Sequence, residues 1–181
     1  MSFAFSRRSF LKYTAVAAVA VAGASLFTGC KIDTSDSYNA LRTTPGELTV
    51  LQVTAAMGTY VEASKSYTAP DVTGTTIAFP FKITNGRANP IYVNPNNFKA
   101  TVLDAEGKVI LAKYTASNGL TLDASLCDTN LKKDASVSGN VNVKLPLDAA
   151  LKPGQSIVLT YCPDLQYNEY SLNWKTTCPE G

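Results

Sequence analysis

The chain predicts an all-β fold, a β-sandwich of about seven to nine antiparallel strands, on three observations. Apolar residues alternate with small or polar ones in several separate runs. Turn-forming residues interrupt those runs at short intervals, and helical spacing fits none of the runs as well as a two-residue repeat does.

Taken in order, strands are expected near 47–56, 59–65, 75–84, 97–104, 108–114, 137–145, 155–162 and 168–176. The third is the clearest: in Ile77-Ala78-Phe79-Pro80-Phe81-Lys82-Ile83-Thr84 the odd positions are large and apolar, which gives an inner face of Ile77, Phe79, Phe81 and Ile83. The same alternation marks Phe98–Val102, Val141–Leu145, Ile157–Tyr161 and Tyr170–Trp174. Pro80 falls on the outward face and, lacking an N–H, implies an edge or a bulge there. Asn85-Gly86, Asn89-Pro90, Asn94-Pro95-Asn96, Asp104–Gly107, Pro153-Gly154 and Cys162-Pro163-Asp164 supply the left-handed or proline-fixed positions that tight reversals need. No fixed-period repeat links the strands, so neither a propeller nor a solenoid is indicated.

Ahead of this domain stands an address. Arg7-Arg8-Ser9-Phe10-Leu11-Lys12 is a charged head, and Tyr13–Phe27 is a hydrophobic core rich in Ala and Val. That core is shorter than the roughly 20 residues needed to cross the hydrocarbon layer. The segment resembles a twin-arginine export signal, with Arg7 and Arg8 as the paired arginines and Phe10, Leu11 and Lys12 as the tail of the motif. Phe27-Thr28-Gly29-Cys30 resembles a lipobox, although Phe27 stands where Leu is usual. It places a lipid on the thiol of Cys30 and makes residues 1–29 the signal peptide. The rival is Ala22-Gly23-Ala24, whose small-x-small pattern admits ordinary signal peptidase and would release a soluble protein beginning at Ser25. Residues 30–46 are polar, close on Pro45-Gly46 and are expected to form a flexible tether, with the folded domain spanning 47–181. The protein is thus expected on the outer face of the cell membrane.

Of the 16 basic residues, Arg7, Arg8 and Lys12 belong to the leader, which leaves 13 against 14 acidic ones. No basic stripe is present for nucleic acid. The sequence contains no histidine, so the commonest general base and the Ser-His-Asp and Cys-His arrangements are missing. Neither a phosphate loop, a dinucleotide fingerprint nor a nucleophile elbow occurs. No enzyme, cofactor or metal site is expected. Asp123, Asp128, Asn130 and Asp134 offer oxygen ligands on one loop, but their spacing matches no calcium loop and reads as a solvated acidic segment.

An exported chain with three cysteines beyond Cys30 is expected to hold one disulfide and one spare thiol. Cys162 and Cys178 flank one strand and fall at opposite ends of the sandwich, whereas a bridge needs α-carbons within about 7 Å. Cys127 is therefore expected to pair with one of them, with Cys162 favoured over Cys178. Tyr161 and Trp174 are expected in the core. Tyr167, Asn94 and Asn96 are the candidates for an exposed binding surface.

Phe79–Gly86, Asn89-Pro90-Ile91-Tyr92-Val93, Phe98, Val102–Lys108 and Leu151-Lys152-Pro153-Gly154-Gln155 together resemble the telokin-like immunoprotective extracellular domains of bacterial lipoproteins, over roughly residues 47–176. The resemblance implies an immunoglobulin-like sandwich on the cell surface and no established activity. The expected role is a monomeric, non-enzymatic module for interaction or adhesion, binding through the loops at one end of the sandwich. The alternative is an accessory lipoprotein that captures a small molecule, glycan or peptide for a membrane partner. A pocket lined by aromatics with convergent polar groups would favour capture, and a flat loop-rich face would favour protein partners.

Overall fold

The computed structural model describes residues 40–115, 117–146, 150–165 and 170–180. Arg7, Arg8, Phe10, Leu11, Lys12, the rival cleavage point after Ala24, the lipidation site Cys30 and the loop residue Tyr167 lie outside them. The described residues form an all-β sandwich. In chain order the strands are β1 (Ala40–Arg42), β2 (Gly46–Val50), β3 (Val53–Met57), β4 (Thr59–Val61), β5 (Ser66–Thr68), β6 (Thr76–Asn85), β7 (Ile91–Val93), β8 (Phe98–Leu103), β9 (Val109–Tyr114), β10 (Leu120–Leu122), β11 (Thr129–Leu131), β12 (Ser136–Lys144), β13 (Ser156–Tyr161) and β14 (Leu172–Thr177). One five-stranded sheet has the order β1-β14-β13-β8-β9 and the other β10-β12-β6-β3-β2, while β4–β5 and β7–β11 are separate two-stranded pairs. Every pairing among these strands is antiparallel except β1 with β14.

The period-2 pattern is what closes the core. Ile77, Phe79, Phe81 and Ile83 of β6 are all buried, as are Phe98, Ala100 and Val102 of β8, Val141 and Val143 of β12, Ile157, Leu159 and Tyr161 of β13, and Leu172 and Trp174 of β14. Each fully buried large side chain contributes about 1.5–3 kcal/mol through removal of apolar surface from water. Phe81 of one sheet meets three aromatics of the other edge-on: Phe98, Tyr161 and Trp174, at ring-centroid distances of 5.3, 5.7 and 5.2 Å. This geometry aims positive ring edges at negative ring faces.

Pro80 sits where the register explains it. β12 pairs with β6 from Thr76 through Thr84, but β3 pairs only with Phe81–Asn85. The Pro80 carbonyl points to the β3 side and accepts from the Gly58 N–H at 2.8 Å. Its ring nitrogen faces the same side, just past the end of β3, so no ladder hydrogen bond is lost.

Several boundaries differ from those the sequence suggests, among them the expected strand 59–65, which ends at Val61 and pairs with β5 as a hairpin. Ala40–Arg42, inside the expected tether, joins the sheet beside β14. The Ala40 carbonyl accepts from Asn173 Nδ2 at 3.2 Å, and the Arg42 guanidinium donates to the Glu47 carbonyl at 3.0 Å. The expected strand 47–56 is a hairpin, because Leu51 and Gln52 take left-handed backbone angles, with φ of 49° and 60°. The segment between the expected strands 108–114 and 137–145 contributes β10 and β11.

The β2–β3 turn contains neither Gly nor Asn, and a left-handed conformation costs an ordinary L-residue about 1–2 kcal/mol. It is held from outside: Arg87 Nε donates to the Leu51 carbonyl and the Gly86 N–H to the Gln52 carbonyl, both at 2.8 Å. Leu51 also packs against the core, whereas Gln52 is exposed. Gln52→Gly is therefore expected to stabilise the domain by about 0.5–1 kcal/mol, the relief of strain being partly offset by added freedom of the unfolded chain. Urea denaturation should show a higher midpoint at unchanged slope; a lower midpoint would mean the turn is not strained.

The expected disulfide does not form among the described residues, and Cys127, Cys162 and Cys178 are free thiols. Cys162 and Cys178 do lie at opposite ends of the β13–β14 hairpin, since Tyr161 faces Leu172 and Ser156 faces Thr177. Each thiol has its own surroundings. Cys178 is buried with Sγ 3.6 Å from the Leu151 carbonyl, Cys162 is buried, and Cys127 Sγ is 3.5 Å from Asp128 Oδ2. Desolvation and then the Asp128 carboxylate push the Cys127 pKa above its ordinary value, so even the most accessible of the three resists forming a thiolate.

Candidate functional site

A concavity lies on the outer face of the β10-β12-β6-β3-β2 sheet. Along this sheet the residues facing away from the core line up by register. Glu47 pairs with Ala56, Ala56 with Lys82 and Lys82 with Ser138, while Pro80 pairs with Asn140 in the next outward row. Over this polar floor folds the β4–β5 hairpin, in which Tyr60 pairs directly with Tyr67. The two rings lie 5.1 Å apart between centroids and are tilted by 59°. Tyr60 keeps 47% of its surface exposed. Between hairpin and sheet is a groove of about 750 Å³, within the usual range for small-molecule sites.

Three devices hold the groove in shape. Tyr67 donates its phenolic proton to Glu47 Oε1 at 2.6 Å, fixing hairpin to sheet by a short, charge-assisted bond. The Asp123 carboxylate accepts from the Asn140 N–H at 2.8 Å, from Asn140 Nδ2 at 2.9 Å and from Asn142 Nδ2 at 3.1 Å, which orients Asn140. The Asn140 N–H and then the Asn142 amide hold the Asp123 carboxyl below its ordinary range. Gly58, with φ of 105°, turns the chain from β3 into the hairpin.

The Tyr67–Glu47 bond has a titration signature. Desolvation, then the hydrogen bond to Glu47 and its negative charge, push the Tyr67 phenol up to about 12 from an ordinary 10.0. The folded state thus favours the neutral phenol. The associated stability is fully present below the unfolded value and is lost as pH rises through about 12. Glu47→Gln is expected to move Tyr67 ionisation to lower pH, though not fully back, since burial persists. Tyrosinate absorbance measured against pH checks this, and an unshifted curve would break the assignment.

Of the binding residues expected from sequence, Asn94 and Asn96 lie outside the groove's lining, around the 3-10 turn Pro95–Asn97. Asn94 is occupied structurally: its Oδ1 accepts from the Asn96 N–H at 2.8 Å, and its own N–H donates to Asn97 Oδ1 at 2.9 Å. Buried Asn97 in turn donates from Nδ2 to the Cys162 carbonyl at 2.8 Å. A shallower cleft of about 400 Å³ beside this turn includes Asn94, Tyr92 and Leu165 and the Arg87–Asp164 ion pair at 3.4 Å. Asn96 is exposed beyond it. On the acidic loop, Asp123 is engaged by Asn140 and Asn142, and Asp128 accepts from the Tyr92 hydroxyl at 3.0 Å.

Sequence reasoning missed Glu47, Tyr60, Tyr67, Lys82 and Asn140. The available signal was the symmetric placement of Tyr60 and Tyr67 about the polar stretch Glu62–Lys65, which also carries the exposed Lys65–Glu62 ion pair.

No family model and no curated protein matches this chain. Among solved structures it is similar to the candidate lipoprotein YcdA of Bacillus subtilis, at 14% identity and a TM-score of 0.44, covering 74% of this chain and 39% of that one. It is also similar to the YjhA protein of Bacillus subtilis, at 11% identity and a TM-score of 0.40, covering 72% of this chain and 94% of that one. An uncharacterised β-sandwich protein of Clostridium difficile matches at 8% identity and a TM-score of 0.43, covering 78% of this chain and 95% of that one. At such values the fold rests on the strand pairing within this chain.

Proposed function

We propose that this chain is a non-enzymatic binding domain held on the outer face of the cell membrane by a lipid on Cys30, and that the groove beneath the Tyr60–Tyr67 hairpin captures a ligand for a membrane partner. The observation that carries this reading is the groove itself: two tyrosines, one of them half exposed, converge with Glu47, Lys82, Ser138 and Asn140 on one concavity. The twin-arginine leader, the lipobox-like Phe27-Thr28-Gly29-Cys30 and the resemblance to telokin-like extracellular domains support the location. A sequence without histidine supports a non-catalytic role. The adhesion reading draws its support from the shallower cleft, which Tyr92 and Leu165 line at 54% and 47% exposure.

Photo-crosslinking residues placed at Lys82 and at Asn96 of the full-length protein in intact cells separate the two. Adducts from Lys82 support capture in the groove, adducts from Asn96 alone support adhesion through the end loops, and none from either speaks against a binding role. Mass spectrometry of the membrane fraction tests the anchor: a diacylglyceryl group on Cys30 is expected, and an unmodified N-terminus at Ser25 would rule it out.

A further inference from the structure

We infer that the groove is a saccharide site, taking a neutral oligosaccharide of pyranose rings; this rests on the capture reading and names its ligand class. The floor is side-chain surface, not a free strand edge. Phe81 and Lys82 pair with Met57 and Ala56 of β3 on one side and with Gly139 and Ser138 of β12 on the other. Their backbone groups are consumed by the sheet, so an extended peptide could not add as a strand at these two floor positions. Nor does the groove offer the deep apolar pocket that anchors a peptide side chain. It presents two tyrosine side chains beside a floor that carries Glu47, Lys82, Ser138 and Asn140.

A pyranose ring matches that pairing of surfaces. Its axial C–H bonds form an apolar face carrying partial positive charge, which meets the negative face of an aromatic ring, while its rim of hydroxyls both donates and accepts hydrogen bonds. Tyr60 supplies the exposed ring. Tyr67, tilted by 59° against it and fixed by Glu47, forms the second wall of an angled platform. Among the described residues, Lys82 Nζ, Ser138 Oγ, the second Glu47 oxygen and Asn140 Oδ1 make no hydrogen bond within the protein, leaving donors and acceptors for ring hydroxyls. One cation and one anion balance on the floor, which fits an uncharged ligand better than a polyanion. A volume of about 750 Å³ accommodates more than one ring.

The test titrates the full-length protein in detergent with cellohexaose, maltohexaose and chitohexaose by calorimetry, alongside Tyr60→Ala and Ser138→Tyr. Tyr60 is half exposed, so its replacement leaves the core intact, and Ser138→Tyr adds bulk to the floor from β12, at a residue outside the hairpin. Saturable binding of at least one sugar, weakened about tenfold or more by each variant, is the expected result. Binding of none, or binding unchanged in both variants, overturns the inference. If no sugar binds while Lys82 crosslinks a polypeptide in cells, the saccharide assignment fails and capture stands. If neither a sugar nor a Lys82 adduct is found, both fail.

Discussion

Trp174→Ala is expected to abolish the cooperative unfolding transition of this domain. Trp174 on β14 is fully buried, packs edge-on against Phe81 of the opposite sheet at 5.2 Å, and donates from Nε1 to the Gly46 carbonyl at 2.9 Å. Truncating a buried Trp to Ala costs about 3–5 kcal/mol through lost burial and the cavity left behind. Leaving the Gly46 carbonyl without its donor costs about 1–3 kcal/mol more. A domain of this kind has only about 5–15 kcal/mol in total, so the variant should lie at or below the margin. Trp174→Phe keeps an aromatic ring at the site and loses the N–H together with part of the indole's buried volume, so it should fold with a loss of about 2–3 kcal/mol. Far-ultraviolet circular dichroism and urea titration distinguish the two. Equal stability of the Ala and Phe variants would show that the indole does not join the sheets. As the sole tryptophan, it also reports on sheet packing in the wild-type protein, with a red shift of emission expected on unfolding.

That the Trp174 ring belongs to the core was legible from sequence, and the reason marks where legibility ends. Alternation in Tyr170–Trp174 and in Ile77–Ile83 is set by burial of one sheet face, and burial is a property each strand carries in its own residues. The β2–β3 turn is different. Leu51 and Gln52 carry no local preference for the left-handed region, and what holds them there is Arg87, 36 positions from Leu51 in the chain. Short strands fail for a related reason. Ile91–Val93 and Thr129–Leu131 are too brief to show a period and exist because they pair with each other. The cysteine prediction failed because redox compartment and spacing say that a bridge is allowed, whereas its formation depends on where three side chains come to rest. Cys162 and Cys178 are each buried in the core or its margin, and Cys127 sits beside Asp128.

The groove combines both kinds of information. Its floor follows from alternation, because Lys82 and Asn140 must face outward if Phe81 and Val141 face in. Its wall does not, since no pattern in β4 or β5 states over which surface the hairpin will fold. The fold direction is set by the chain reversal at Gly58, by the Gly58 N–H on the Pro80 carbonyl, and by the Tyr67–Glu47 bond across 20 residues. The site is therefore least visible in sequence at the element that gives it an aromatic face.

Gly58→Ala follows as the strongest test of how fold and site are joined. At φ of 105° an added Cβ would lie 2.5 Å from the Thr68 carbonyl oxygen and 2.7 Å from Pro45 Cβ, and neither neighbour is the far end of a flexible side chain. The backbone conformation alone costs a non-glycine residue about 1–3 kcal/mol, and relieving the contacts requires the β4–β5 hairpin to swing away from the sheet. A loss of at least about 2 kcal/mol is expected, together with separation of Tyr67 from Glu47, so that Tyr67 ionisation falls from about 12 toward 10.0. Gly107→Ala separates the two causes. Gly107 has φ of 83°, but a Cβ added there would meet nothing within 4 Å, so it should show the backbone cost and leave the Tyr67 titration untouched. If Gly58→Ala also left that titration untouched, the hairpin would owe its place to something other than this glycine, and the groove would not be a consequence of the reversal after β3.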